Sequence, residues 1–227
     1  MSDNKSNFIQ VETHLHSCFS LDSLSEPETI LKVACKKNID RVIITDHNTI
    51  AGALIAKQLD PQRVIIGEEI MTTKGELLAF YVTQEVPSML TPTETILRLR
   101  EQGAFISVSH PFDKLRKGAW KLEDLCEIAP HVDAIEIFNS RCMFPHYNHA
   151  AQTFARVHHL RGTAGSDAHA PFEIGRSLML LPEFHNNAQF KNAFTQAKFK
   201  MRLSSPIVHF YSRYAVWYKS RNSNNFP

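Results

Sequence analysis

The 227-residue chain reads as an α/β protein, a parallel sheet with helices packed on its outside. Short runs rich in Val, Ile, Leu and Phe alternate along the chain with stretches whose apolar residues recur at three- and four-residue spacing. The strand-like runs are apolar and brief, as strands buried on both faces are. No internal repeat, low-complexity block or linker breaks the pattern, and the length suits one barrel-sized domain.

The strand-like runs cover residues 8–15, 41–45, 63–71, 77–82, 104–109, 134–138, 161–164 and 177–181. After the first, Ser25-Glu26-Pro27-Glu28 opens a helix that reaches about Asn38. Ser25 is placed to cap it, Pro27 suits an early position, and the acids suit the positive end of the helix dipole. Asn48 is expected to cap a second helix running to about Leu59. Thr72-Thr73-Lys74-Gly75 reads as a turn between two strands, the one hairpin in the pattern. Thr91-Pro92-x-Glu94 is a capping-box start for a third helix that ends at Gly103. Further helices fit 122–128, 148–159 and 186–198. Residues 1–7 are expected to be disordered and 8–210 to form one domain. Residues 211–227 are expected to be a basic, aromatic tail that packs partly and frays at its end.

Charge excludes some classes. Lys and Arg total 25 against 23 Asp and Glu, a net charge of +2, so nothing electrostatic argues for a dedicated DNA-binding or membrane-surface protein. No apolar run reaches the ~18 residues of a membrane helix. The polar start lacks a signal-peptide core. Cys18, Cys35, Cys126 and Cys142 show no Cys-x-x-Cys spacing, which favours free thiols and a cytoplasmic location.

Histidine occurs 12 times, and several copies cluster with acids where predicted strands end. The first strand ends in Glu12-Thr13-His14-Leu15-His16. Residues two apart on a strand share a side, so His14 and His16 converge on one ion. The second ends in Thr45-Asp46-His47, and the third carries Gly67-Glu68-Glu69. The fifth ends in Ser109-His110-Pro111, the sixth runs from Glu136 into Asn139-Ser140-Arg141-Cys142, and the seventh ends in Ser166-Asp167-Ala168-His169. In a parallel barrel these ends open on one face, where such folds hold their active sites. One such motif is weak; the ordered set is not core filler, because an unpaired buried charge costs several kcal/mol. His131, His158, His159, His185 and His209 lack such clusters and read as structural or surface residues.

These motifs, taken in order over roughly residues 8–182, resemble the PHP (polymerase and histidinol phosphatase) family of metal-dependent phosphoesterases. Glu12-x-His14-x-His16 stands where the family has Asp-x-His-x-His. Ser20-Leu21-Asp22-Ser23, Thr45-Asp46-His47, Gly67-x-Glu69, Ser109-His110-Pro111 and Ser166-Asp167-Ala168-His169 follow. The resemblance implies a distorted TIM-like (β/α)7 barrel with two or three divalent ions at the C-terminal ends of its strands. It implies His14, His16, Glu69 and Asp167 for the first ion, Glu69 and His110 for the second, and Asp22, His47 and His169 for the third. The second ion takes another ligand from the loop after Glu136; Cys142 is the first choice, with His146 and His149 as alternatives. Glu12 departs from the family's Asp and is expected to orient a ligand from behind. Mixed imidazole and carboxylate suits Zn, Mn or Fe.

The resemblance also implies hydrolysis of a phosphate ester of a small metabolite or nucleotide by a metal-bound hydroxide. Glu69 and His110 are expected to serve the chemistry. Arg141 and Arg176 are expected to bind phosphate, because guanidinium matches it bidentately. The alternatives are a nuclease trimming short RNA or DNA ends and a non-catalytic metal-binding regulatory module. The partners expected are a small phosphorylated substrate or short nucleic acid, with no membrane and no protein partner. An amide hydrolase of similar barrel is disfavoured, since no lysine stands at a comparable strand end.

Overall fold

A computed structural model of the chain describes residues 8–222. The expectation for residues 1–7 and the end of the tail fall outside that range. The strands are β1 (Phe8–Leu15), β2 (Arg41–Ile44), β3 (Val64–Met71), β4 (Glu76–Phe80), β5 (Phe105–Val108), β6 (Ala134–Asn139), β7 (Arg161–Gly165), β8 (Leu178–Pro182) and β9 (Lys198–Lys200). The helices are α1 (Pro27–Lys36), α2 (Ala51–Leu59), α3 (Pro92–Glu101), α4 (Leu122–Ile128), α5 (Pro145–Val157), α6 (Asn187–Ala193) and α7 (Val208–Arg221).

All nine strands join one sheet in the order β7-β6-β5-β4-β3-β2-β1-β8-β9. The stretch from β1 to β7 nearly closes into a barrel. At the seam Leu15 pairs with Ala168, His16 N donates to Ala168 O at 2.8 Å, and Thr13 Oγ1 donates to Ala164 O at 2.9 Å. A side chain at Gly165 would put its Cβ 2.4 Å from that of His14, so this close approach requires glycine. The result is a TIM-like barrel, and its distortion has a specific source. Strands β1, β2 and β3 are mutually parallel, as are β5, β6 and β7, but β4 runs antiparallel to both neighbours. The 72–75 turn creates this reversal, with Thr72 Oγ1 donating to Gly75 O at 2.6 Å. Strands β8 and β9 extend the sheet beyond β1 by antiparallel pairing.

An apolar plug of Val11, Ile43, Ile65, Leu78, Phe80, Phe105 and Phe190 fills the sheet's inner side. Ile65, Gly67 and Glu69 alternate along β3, so the side that buries Ile65 carries Glu69 one pleat further on. A second cluster packs α1 and α2 on β1 and β2 through Ile30, Ala34, Ala53 and Ala56. Among the described residues no helix is long and apolar enough to cross a membrane.

Three local expectations are corrected. Thr91 and Glu94 do form the capping box of α3, but Ser25 and Asn48 cap nothing. The residue before α1 is Glu26, and Ser25 Oγ turns instead to His169 O at 3.4 Å. Asn48 takes a left-handed φ of 56° and accepts a hydrogen bond from Met71 N at 2.8 Å, tying the loop after β2 to β3. The predicted tail is largely helix α7, and its Lys219 is buried against the barrel.

Candidate metal centre

The strand ends deliver a cluster of imidazoles and carboxylates, buried at its centre and partly exposed at Asp22 and His47. Glu69 is its hub. Its Oε2 lies 3.3 Å from His14 Nε2, 3.3 Å from His16 Nε2 and 3.2 Å from His47 Nδ1. Its Oε1 lies 3.1 Å from His110 Nε2 and accepts from Ser109 Oγ at 2.5 Å. Asp167, held at a left-handed φ of 52°, is the second hub, 3.3 Å from His16 Nε2 and 3.5 Å from His14 Nε2. On the outer side Asp22 approaches His169 Nε2 to 3.0 Å and His47 Nε2 to 3.7 Å.

Among the described residues, ligand atoms within 4.8 Å of one another fall into four groups: His16, His47 and His169; His14, His16 and Glu69; His14, His110 and Asp167; and His47, Glu69 and Glu76. His16 Nε2, His110 Nε2, Asp22 Oδ1 and Asp167 Oδ1 are buried without a hydrogen bond. Orphaned polar atoms of this kind carry a desolvation cost that a cation among them removes. The donor set therefore fits divalent metal ions.

Electrostatics agrees. Burial opposes charge on Glu69, yet His14 and His47 hold its carboxyl well below the usual range. Burial likewise opposes charge on Asp167, which Arg116 and His14 hold low. Burial lowers His47, but Glu69 and Asp22 outweigh it and raise its pKa to about 10. His16 is driven well down by burial and by His169 and His47. Protons on some imidazoles balance the acids in the metal-free site, and metal binding must displace them.

A layer behind the cluster fixes its geometry. Glu136 receives His14 Nδ1 at 2.9 Å, His110 N at 2.9 Å and Asn139 Nδ2 at 3.0 Å. Asp46 accepts from Ser17 N at 2.6 Å and Ser20 Oγ at 2.8 Å, organising the loop that carries Asp22. Glu12 does not reach an imidazole. It accepts from Ser166 N at 3.0 Å and Gly175 N at 2.9 Å, stitching β1 to the loop after β7, and burial raises its pKa to about 7. Glu68 points away from the cluster and accepts from Val86 N at 3.1 Å.

Other anticipated residues lie elsewhere. Cys142 is buried, which pushes its thiol pKa up, and belongs to none of the four groups. His146 and His149 line a groove of about 550 Å³ with Leu122, Cys126 and Phe154, between α4 and α5. Arg141 is 3% exposed, its Nε 3.5 Å from Glu173 and its Nη2 donating to Val208 O and Ser212 Oγ at 3.2 and 2.8 Å. Arg176 is half-buried near Lys37.

Two site residues escaped sequence reasoning. Glu76, at the start of β4, lies 3.6 Å from His110 Nε2 and 3.9 Å from His47 Nδ1. It is at the wrong end of a strand for a parallel barrel, and only the reversal of β4 brings it to this face. The hairpin at 72–75 was the available signal. Arg116, in the loop after β5, sets Nη2 2.5 Å from Asp167 Oδ2 and Nε 3.3 Å from Asp113. No local motif marks it.

Residues 12–102 match the PHP domain and residues 145–199 the PHP-associated segment. The uncharacterized protein MJ1587 of Methanocaldococcus jannaschii is 37% identical over 146 residues, 58% of this chain and 82% of that protein. A two-domain protein from Bacteroides vulgatus containing a predicted PHP-like metal-dependent phosphoesterase superposes with a TM-score of 0.70. That match is 16% identical and covers 87% of this chain and 66% of the other. The lesion-specific endonuclease PfuEndoQ of Pyrococcus furiosus superposes at 0.59 and 15% identity, over 88% of this chain and 60% of its own. The chain thus spans 66% and 60% of these two structures. The chain belongs to the PHP family.

Proposed function

We propose that this protein is a metal-dependent phosphoesterase acting on the phosphate ester of a small metabolite or nucleotide. The observation that carries the reading is the pair of carboxylates, Glu69 and Asp167, shared among converging, orphaned imidazoles. Zn, Mn or Fe ions would be held by His14, His16, Glu69 and Asp167, by Glu69, His110 and Glu76, and by Asp22, His47 and His169. When bound, they supply positive charge for phosphoryl oxygens and acidify water. Glu76 takes the place expected for Cys142, because its carboxylate reaches the group around Glu69 and the thiol does not.

The remaining work falls to this chain's own side chains. Ser109 fixes Glu69, and Glu136 fixes the His14 ring and the His110 backbone. Arg116 is the phosphate-binding cation best placed at the cluster, since Arg141 is committed to Glu173 and α7. A nuclease reading shares this chemistry and is favoured by the likeness to an endonuclease. A non-catalytic module is disfavoured by the complete ligand set.

The test is a screen of metal-loaded protein against phosphorylated metabolites, nucleotides and short oligonucleotides, with phosphate and mononucleotide release read separately and metal content measured in parallel. Two to three ions per chain and phosphate release from small esters are expected. Mononucleotide release alone selects the nuclease reading. Less than one ion per chain after supplementation refutes both.

A further inference from the structure

Helix α7 lies beyond both segments that match the family, and it is fastened to the metal centre from two directions. Near its C-terminal end, Lys219 is 6% exposed. Its Nζ donates to Cys18 O and, at 2.7 Å, to Ser20 O. Both carbonyls belong to the loop between β1 and α1 that carries Asp22. In that loop Ser20 Oγ donates to Asp46 at 2.8 Å, accepts from His47 N at 3.0 Å and lies 3.1 Å from His16 Nδ1. Ser23 Oγ lies 2.9 Å from His169 O and 3.0 Å from His16 O. Holding the two carbonyls therefore holds the turn that presents Asp22 and whose Ser20 hydroxyl receives the His47 backbone N–H.

The other end of α7 reaches His169. Arg141 donates to Val208 O and Ser212 Oγ of α7 and pairs with Glu173, whose Oε1 accepts from His169 N at 3.3 Å. The Phe172 and Tyr211 rings meet edge-on beside this path, 5.8 Å apart. The three outer ligands, Asp22, His47 and His169, are thus braced by one helix through two independent chains of contact. The inner residues Glu69 and His110 come from β3 and the end of β5, and their described contacts do not involve α7. Asp22 and His47 are also the ligands most in need of bracing, being 28% and 27% exposed where the inner ligands have no exposure.

We propose that α7 sets the affinity of the outer ion, held by Asp22, His47 and His169, with Lys219 as the positioning residue. This rests on reading the cluster as a metal centre. A charged donor on two carbonyls is among the stronger hydrogen-bond arrangements. Losing it frees the loop, and ligand displacement of a fraction of an ångström is costly at a metal site.

The test uses full-length, metal-stripped protein titrated with Mn²⁺ by calorimetry, with bound metal counted after desalting. A His169→Ala variant identifies which binding phase belongs to the outer site. Lys219→Met is expected to weaken that phase about tenfold, equivalent to about 1.4 kcal/mol, and to affect the tighter phases far less, since they meet the loop only through His16. Lys219→Arg, which keeps a donor, is expected to recover most of the loss. In the His169→Ala background Lys219→Met should add nothing further. Unchanged titration in Lys219→Met, or equal weakening of every phase, overturns the proposal. If Lys219→Met does not fold, Ser212→Ala decides through the other arm. A smaller weakening of the same phase supports the brace, and parent-like titration overturns it. A parent protein that binds no Mn²⁺ overturns the metal reading along with the brace. A parent that binds Mn²⁺ beside an indifferent variant overturns the brace alone.

Discussion

Glu68 and Glu69 are adjacent on one strand, share a chemistry and face opposite ways, so they form an internally controlled pair. Glu69 touches four imidazoles at 3.1–3.3 Å and Ser109 at 2.5 Å. Glu69→Gln keeps the shape but removes one negative charge and, on the proposed reading, the carboxylate that two ions would share. It should lower kcat by on the order of 10²-fold or more, about 2.7 kcal/mol of barrier at 1.36 kcal/mol per decade. Glu68→Gln should leave kcat within a few-fold, because an amide oxygen can still accept from Val86 N. Its effect should fall on stability instead. Burial raises the Glu68 pKa from 4.5 to about 8, so the folded state binds a proton that the unfolded chain releases. The parent therefore loses stability as pH climbs between those values, and none of this loss exists below the lower one. Glu68→Gln should stabilise by up to a few kcal/mol above about pH 8 and change little near pH 4. The assays are steady-state kinetics at saturating metal and denaturant unfolding across pH. If Glu68→Gln is the more damaging to rate, the assignment of the centre to the Ile65–Gly67–Glu69 side is refuted.

Glu76→Gln should weaken one Mn²⁺ binding phase by about tenfold and lower activity at limiting metal; parent-like titration would remove Glu76 from the ligand set and return Cys142 to consideration. Arg116→Met should raise KM or lower kcat for phosphate esters by at least about tenfold while metal content holds. Unchanged kinetics on the best substrate would make Arg116 a structural partner of Asp167 and Asp113 only.

The sequence by itself determined the alternation of strands and helices and the order of the His- and acid-bearing strand ends, while the barrel came from the resemblance those motifs carry. Alternation and order are local properties. Strand and helix periods are written in neighbouring residues, and a buried His or acid at a strand end is conspicuous because nothing in a core accounts for its charge. The Gly67-x-Glu69 motif and the capping box at Thr91 and Glu94 are equally local. Ser25 and Asn48 looked like caps from composition, yet each found a competing partner far along the chain, in His169 and Met71. Only the tertiary structure decided the rest. Reversal of β4 carries Glu76 to the metal face, and the loop after β5 folds Arg116 onto Asp167. Arg141, positioned by sequence like a phosphate clamp, is spent on Glu173 and on α7. A helix from residues that read as a tail closes on a loop some 200 positions earlier, with Lys219 on the carbonyls of Cys18 and Ser20. Such contacts are fixed by which surfaces meet when the chain packs, and a sequence pattern read within a window of a few turns carries no record of them.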